Sequence, residues 1–425
     1  MNVLLINDST SNPNWGDRAA AVSLKKMITM VGGNIIDTFS ENELKSSSFF
    51  SYQSNFIEQK NSSFLAEKIK LFSPPIVSRV KEKISSKFSS RQKFHLIPES
   101  WDDFGSSTKR LNENKHLYQR FLSAIEKMDV AVIHGDGCMV GNGVLPRTEL
   151  FLTFLIKRFF KKPVIITNHT ADFDHPNLLN IAQKIYPLFD DVVFRDPISE
   201  ERCRAFCHGR FVPDSAFLFE PMSSEIWKTV ACRSTYFDVW PDTAQFDPMT
   251  PYICLGGSSI FSYDKFPSEI IDDYSSLITY IQSIYSGQLV LTVSDVVDQP
   301  IFRALAKDFK LPLVGLTTSV QQAVDIIGNA EAYIGGRWHP SIFALRGGTP
   351  IISLSSKTFK MQALVAMAGL PCMTFDSLNL KSEQKSIGDQ LIAYIDQGVE
   401  LRNKIQIWAQ EAAKSSWDNV LFLKK

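Results

Sequence analysis

The chain has 425 residues, 44% hydrophobic and 21% charged, an ordinary globular composition long enough for two domains and a small remainder. Its 45 Lys and Arg match its 45 Asp and Glu, so net charge gives no pull toward nucleic acid. No Cys-x-x-Cys pair, signal-peptide pattern or membrane-length apolar run occurs, which argues against a zinc module, a leader and a spanning helix and predicts a cytoplasmic protein with reduced thiols.

Residues 2–7 read as a buried strand that stops at Asn7-Asp8. A Ser-, Asn- and Pro-rich loop runs to Asp17, and Arg18 to Met30 has helical periodicity ending at Gly32-Gly33. Asn34 to Asp37 is the next strand, which makes a βαβ unit and implies a parallel sheet. Residues 40 to about 115 break this rhythm and read as an insertion. Between Glu58 and Leu96 nine Lys and Arg face three Asp and Glu. The plain reading is a helical element with a solvated basic face. The sharper one is a weak contact with an anionic membrane surface, at the inner face of the cell membrane.

Alternation resumes with strands at 129–133, 163–166 and 191–194, each running into polar residues. These are His134-Gly135-Asp136-Gly137, Asn168-His169 and Arg195-Asp196. A helix from Ser199 to Cys207 would carry Cys203 and Cys207 on one face. Residues 219–250 lack a pattern and are assigned to a linker. A second series has strands at 252–255, 289–293, 313–316, 332–334 and 350–354, with helices at 301–309, 318–327 and 342–345. A helix over 387–413 closes the chain. The reading is an α/β protein of two Rossmann-like domains facing a cleft, the arrangement called GT-B. The domains are residues 1–220 and 250–375, followed by C-terminal helices over 376–425. Open sheets of this kind bind ligands at the carboxyl ends of their strands.

The densest chemistry lies at Gly335-Gly336-Arg337-Trp338-His339-Pro340-Ser341. Arg337 offers a planar fork for a carboxylate or phosphate. His339 can carry a proton near neutral pH. An extended segment would turn both side chains to the same side, and a helix starting near Pro340 would aim its positive end there. Arg346 is read as helix surface or as a C-terminal cap contact. Asn14-Trp15-Gly16-Asp17 puts a carboxylate at the first strand's end, where it could take protons from hydroxyls or cap the next helix. Asn168 and His169 are read as a polar wall of the cleft. No P-loop, zincin or nucleophile-elbow motif occurs.

In order along the chain, Asn14-x-Gly16-Asp17, Gly135–Gly137, Arg195-Asp196-x-x-Ser199, Asp214-x-Ala216-Phe217 and Arg337-x-His339 with Phe343-Ala344-Leu345-Arg346-x-Gly348-x-Pro350 resemble the polysaccharide pyruvyl transferase family. The likeness covers most of residues 1–20 and 130–370. The turn at Gly135–Gly137 carries an Asp where relatives often have a run of glycines, and Trp338 and Pro340 are bulkier than the usual neighbours. The resemblance implies a transferase of cell-surface polysaccharide synthesis. Phosphoenolpyruvate would be the donor, a sugar or lipid-linked glycan the acceptor, and a cyclic ketal the product, with no metal or cofactor. It implies catalytic roles for His339, Arg337 and Asp17. Donor contacts would come from Arg337, His339, Gly336 and Ser258. Acceptor contacts would come from Asn14, Gly16, Asp17, Asp136, Asn168, His169 and Arg195. A nucleotide-sugar glycosyltransferase or a non-catalytic glycan-binding relative would share the fold.

Overall fold

The structure is a computed structural model that describes residues 1–46, 96–115, 118–233, 236, 246–261 and 267–424. The basic segment expected to meet a membrane therefore lies outside the described residues, apart from Leu96. That residue is buried in the first core with Ile97, Phe104 and Leu111.

Two parallel six-stranded sheets organise the chain. The first holds β1 (Asn2–Asp8), β2 (Asn34–Ser40), β3 (Val130–Val140), β4 (Val164–Asp172), β5 (Asp191–Phe194) and β6 (Arg210–Phe211), in the order β2-β1-β3-β4-β5-β6. The second holds β7 (Tyr252–Ser258), β8 (Gln288–Thr292), β9 (Leu313–Val314), β10 (Tyr333–Gly336), β11 (Ile351–Leu354) and β12 (Thr374–Phe375). Its order, β12-β11-β10-β7-β8-β9, is that of a Rossmann-type domain. Both faces of these sheets are covered, which explains why β3, β4 and β7 begin as near-continuous apolar runs. All the strands run parallel, but the order in which they are added reverses between β1 and β3 in the first sheet and between β7 and β10 in the second. Those two reversals open the crevices where ligands bind in open sheets.

Helix α1 (Trp15–Met30) serves both domains. Its small residues Ala19 and Ala20, with Trp15, pack into the second domain's core, while Leu24, Met27 and Ile28 pack on Val3 and Leu5 of β1. The first domain continues through α2 (Glu41–Ser46), α3 (Phe104–Glu113), α4 (Gln119–Lys127), α5 (Val144–Leu155), α6 (Pro176–Ile185) and α7 (Pro197–Cys203). Residues 219–250 are not all linker, because Ser223 caps α8 (Ser224–Ala231), which buries Trp227. Cys207 lies beyond the end of α7, and both it and Cys203 are buried core thiols. The second domain adds α9 (Pro267–Ile284), α10 (Gln299–Phe309), α11 (Val320–Gly328), α12 (Trp338–Arg346), α13 (Lys360–Met367) and α14 (Leu380–Ser415). After α14 the chain crosses back. Val420 and Leu423 pack against the first sheet, and the Asn419 amide donates to Pro213 O at 2.9 Å. No helix among the described residues is long and apolar enough to cross a membrane.

Candidate active site

A cavity of about 200 Å³ lies between the two sheets' carboxyl edges. The loop after β1 and the strand β3 flank the first reversal point. They supply Asn14, Asp136 and Cys138, with Asp17 coming from the first turn of α1 and Arg195 from the end of β5. The second domain supplies Asp295, Arg337, Trp338, His339 and Lys360.

Helix α1 starts at Trp15, three residues before the periodicity suggests, so its cap is Asn14 and not Asp17. Asn14 Oδ1 accepts from Gly16 N at 2.8 Å, and its amide donates to Asp295 at 3.1 Å across the domain boundary. Asp17, freed from capping, faces the cavity 4.0 Å from His339 Nδ1. Burial, then the nearby Asp136, Glu41 and Asp295 carboxylates, push its carboxyl well above the usual range. Gly16 does not line the cavity. A side chain there would overlap the His339 ring.

Residues 135–137 form no turn. They lie within β3, and Asp136 adopts a left-handed φ of 42°, a strained conformation that kinks the strand where its carboxylate meets the cavity. Arg195 is fully buried and pairs with Asp136, and with Asp214 at 3.1 Å. Burial alone would raise the Asp136 carboxyl, but Arg195 and His339 hold it at about 2. Asn168 and His169 are not the cleft wall. Asn168 is tied to His134 Nε2 at 3.1 Å and Ser215 N at 2.7 Å. His169 holds Val193 O and the Tyr186 hydroxyl, and burial lowers it to about 3, so it is a neutral core histidine.

Arg337 and His339 do not share an extended segment. Arg337 is the residue before α12, which starts at Trp338, two positions earlier than the start predicted at Pro340, so His339 sits in the helix's first turn. The two side chains diverge. The Arg337 fork is filled from within the protein: Nε and Nη2 grip Asp298 at 3.1 and 2.7 Å, and Nη1 bonds Asp295 at 2.9 Å. Burial raises the Asp298 carboxyl to about 6 in spite of Arg337. Gly336 and Ser258 lie behind the cavity. The Ser258 hydroxyl donates to Ser355 O, and a side chain at position 336 would strike it. Arg346 is buried, not surface: it donates to Phe217 O at 2.9 Å and pairs with Glu220.

His339 instead joins the first domain's charges. Its Nε2 lies 3.5 Å from Asp214 and 3.9 Å from Asp136. Asp214 is fully buried. Against the effect of burial, His339 and Arg195 hold its carboxyl far below the usual range. Asp214 belongs to the Asp214-x-Ala216-Phe217 segment, but residue type alone assigned it no role. Lys360 had no sequence signal, since α13 carries too little periodicity to be seen. Its ammonium lines the cavity with no ion pair or hydrogen bond among the described residues. Burial, then Arg195 and Arg337, lower it to about 8. The first N–H groups of α12 also open here, since no side chain caps them. The arrangement can therefore hold an anion and move a proton beside it. Asp17, Asp136 and His339 place ligand atoms within 4.8 Å of one another, a set that could also hold a cation, although Arg195 already flanks Asp136.

A model of the polysaccharide pyruvyl transferase family matches residues 16–358. No curated protein matches the chain in sequence. Among solved structures, the spinosyn rhamnosyltransferase SpnG superimposes with a TM-score of 0.54 at 12% identity, covering 100% of both chains. Arabidopsis thaliana UGT89C1 complexed with UDP gives 0.54 at 13%, covering 100% of this chain and 98% of that one. The UDP-GlcNAc 2-epimerase of Neisseria meningitidis bound to UDP-GlcNAc gives 0.52 at 12%, covering 100% and 99%. These likenesses establish the GT-B architecture of two Rossmann-like domains.

Proposed function

The chain belongs to the polysaccharide pyruvyl transferase family, and from that premise we propose that it transfers pyruvate from phosphoenolpyruvate to two hydroxyls of one sugar in a glycan. The observation that carries this reading is the position of His339. It stands at the open N-terminus of α12, in a cavity that also holds the Lys360 ammonium, unpaired among the described residues, and two carboxylates of the first domain, Asp17 and Asp136. An anionic donor fits the first two features, and a proton-transfer reaction fits the imidazole.

In the proposed chemistry the donor's phosphate or carboxylate rests against Lys360, the α12 N–H groups and the outer edge of Arg195. His339 gives a proton to the donor's methylene carbon, and the double-bond electrons form the new C–H bond. A sugar hydroxyl adds to the electron-poor carbon. The C–O bond to phosphate then breaks, and a second hydroxyl closes the ketal. The two hydroxyls release two protons: one restores His339, the other leaves with phosphate. Asp17 is suited to take the first, because its raised carboxyl range makes it a stronger base than an exposed Asp. Arg337 acts as a strut, since its fork is spent on Asp298 and Asp295. The cations and helix N-terminus already present meet the donor's charge, so the reading routes no step through a metal.

Thermal shift with phosphoenolpyruvate against a panel of nucleoside diphosphates tests the donor. Mass spectrometry of candidate glycans then tests the product. Stabilisation by nucleotides and none by phosphoenolpyruvate would point to a nucleotide-sugar glycosyltransferase.

A further inference from the structure

The cavity of about 200 Å³ that holds His339 and Lys360 has to take the donor and the reacting sugar together. The next sugar of a glycan must therefore lie outside it. A second hollow, of about 130 Å³, is lined by the first domain alone. The loop after β1 is the wall between the two. Asn14, at the end of that loop, faces the first cavity together with Asp17 of α1, while Ser9, Ser11 and Asn12 line the hollow. Across from them stand Glu41, Asn42 and Lys45 of α2. The wall is braced from both sides. Ser9 Oγ donates to Asp17 O at 2.9 Å, Asn14 N donates to Asn12 Oδ1 at 3.0 Å, and the Asn12 amide donates to Glu41 Oε2 at 2.7 Å. Glu41 is also one of the carboxylates that raise the Asp17 carboxyl, so the hollow adjoins the acceptor side of the cavity.

The chemistry of the lining selects hydroxyls over anions. Each Glu41 oxygen accepts once among the described residues, Oε1 from Lys45 and Oε2 from Asn12, and so keeps a lone pair for a further donor. The Ser11 hydroxyl and the Asn42 amide are exposed and make no hydrogen bond among the described residues. A sugar ring thus finds acceptors for its hydroxyl hydrogens and donors for its oxygens on both walls. An anion finds two carboxylates, Asp8 and Glu41, whose lysines are already engaged: Lys25 pairs with Asp8 at 2.8 Å, and Lys45 with Glu41. No free ammonium waits here of the kind that Lys360 offers in the first cavity, so a second negative charge would be repelled.

We propose that this hollow is an acceptor subsite that holds an uncharged sugar, the neighbour of the one that receives pyruvate. Its place in the reaction rests on the proposed pyruvyl transfer; its binding chemistry does not. The acceptor is then a glycan of at least two sugars whose second sugar carries no uronate or phosphate.

Hydrogen-exchange mass spectrometry of the full chain with cellobiose, lactose, maltose and N,N′-diacetylchitobiose tests the binding, and pyruvyl transfer onto the same sugars tests the role. At least one disaccharide should slow exchange in residues 9–13 and 40–45. Ser11→Trp and Asn42→Trp, both at exposed positions, should fill the hollow and remove that protection. Digalacturonate should bind at least about tenfold more weakly than the best neutral disaccharide. Any disaccharide that accepts pyruvate should do so with a kcat/KM more than about tenfold above that of its methyl monosaccharide glycoside, and the filled variants should bring this ratio to about one. The proposal is overturned if no disaccharide protects both segments, if protection survives in the filled variants, or if digalacturonate or inorganic pyrophosphate protects as well as the neutral sugars. A wild-type ratio near one also overturns it, and needs no variant to fold. Protection that the filled variants lose, with no phosphoenolpyruvate consumed on any sugar, would sink the proposed function and leave the sugar subsite standing.

Discussion

Gly16, in the first turn of the first domain's opening helix, lies directly under the imidazole of His339, from the second domain's helix. Any Cβ at position 16 would overlap Cβ, Cγ and Nδ1 of that histidine. The two domains therefore meet at a contact that only glycine permits.

Gly16→Ala should push the His339 ring out of place while leaving both cores intact. The substitution suits a helix, but overpacking a filled site costs about 1–3 kcal/mol. Transfer should fall by more than tenfold, with a melting temperature lowered by only a few degrees. Activity within twofold of wild type would show that the ring can move freely, and would weaken the case for His339 as a positioned acid.

The two cations of the donor side should separate in their effects. Arg337→Lys keeps a charge but cannot grip both Asp298 oxygens. It leaves a fully buried carboxylate partly unpaired, so stability should drop by about 1–3 kcal/mol along with activity. Calorimetry and a donor titration check this. If Arg337→Lys melts like the wild type and loses only donor affinity, then Arg337 binds donor directly and is not a strut.

Lys360 supplies the pH dependence. Its ammonium form is lost as pH rises through about 8, two to three units below an exposed lysine. A phosphate-bearing donor should therefore bind well below pH 8 and progressively less above it. Lys360→Met should bind weakly at every pH and lose that alkaline decline. Titrations of phosphoenolpyruvate between pH 6.5 and pH 9.5, read as about a tenfold fall in the wild type, test both statements. A wild-type affinity that is flat across this range would remove Lys360 from the donor site.

Much of the architecture was legible because strands buried on both faces are written as apolar runs: Ile253, Cys254 and Leu255 in β7, or Val164, Ile165 and Ile166 in β4. Polar residues at the strand ends then gave the edge where the cavity lies. Three features could not be read. Helix α1 begins at Trp15 because Asn14 caps it, and an Asn in a polar loop looks no different from its neighbours. The fork of Arg337 is occupied by Asp298, a partner 39 residues away whose approach depends on tertiary packing. Lys360 lies where the start of α13 meets the cavity, and a lone lysine in a polar stretch announces nothing. The sequence named the site's glycines as points of ligand approach. At Gly16 and Gly336 the space is filled by protein side chains instead.

His339→Gln separates the proposed function from its rivals. Glutamine keeps much of the volume and one hydrogen-bonding end, so Asp214 and Arg195 retain a polar neighbour. The fold should survive, because Arg195 and Trp338 still hold Asp214 and the interdomain packing of Trp15, Ala19 and Ala20 is untouched. Donor binding should change by less than about threefold, since Lys360 and the α12 N–H groups remain. What glutamine cannot do is give up a proton to carbon. Transfer should therefore slow by about a hundredfold or more, the scale of a general acid. A histidine that merely fills space would give the opposite pattern: a lower melting temperature with little change in rate per folded molecule. The deciding measurements are a melting curve, a donor titration and a single-turnover rate on both proteins. Normal turnover in His339→Gln would shift the search for the acid to Asp17, whose raised carboxyl makes it the other proton carrier within reach of the donor.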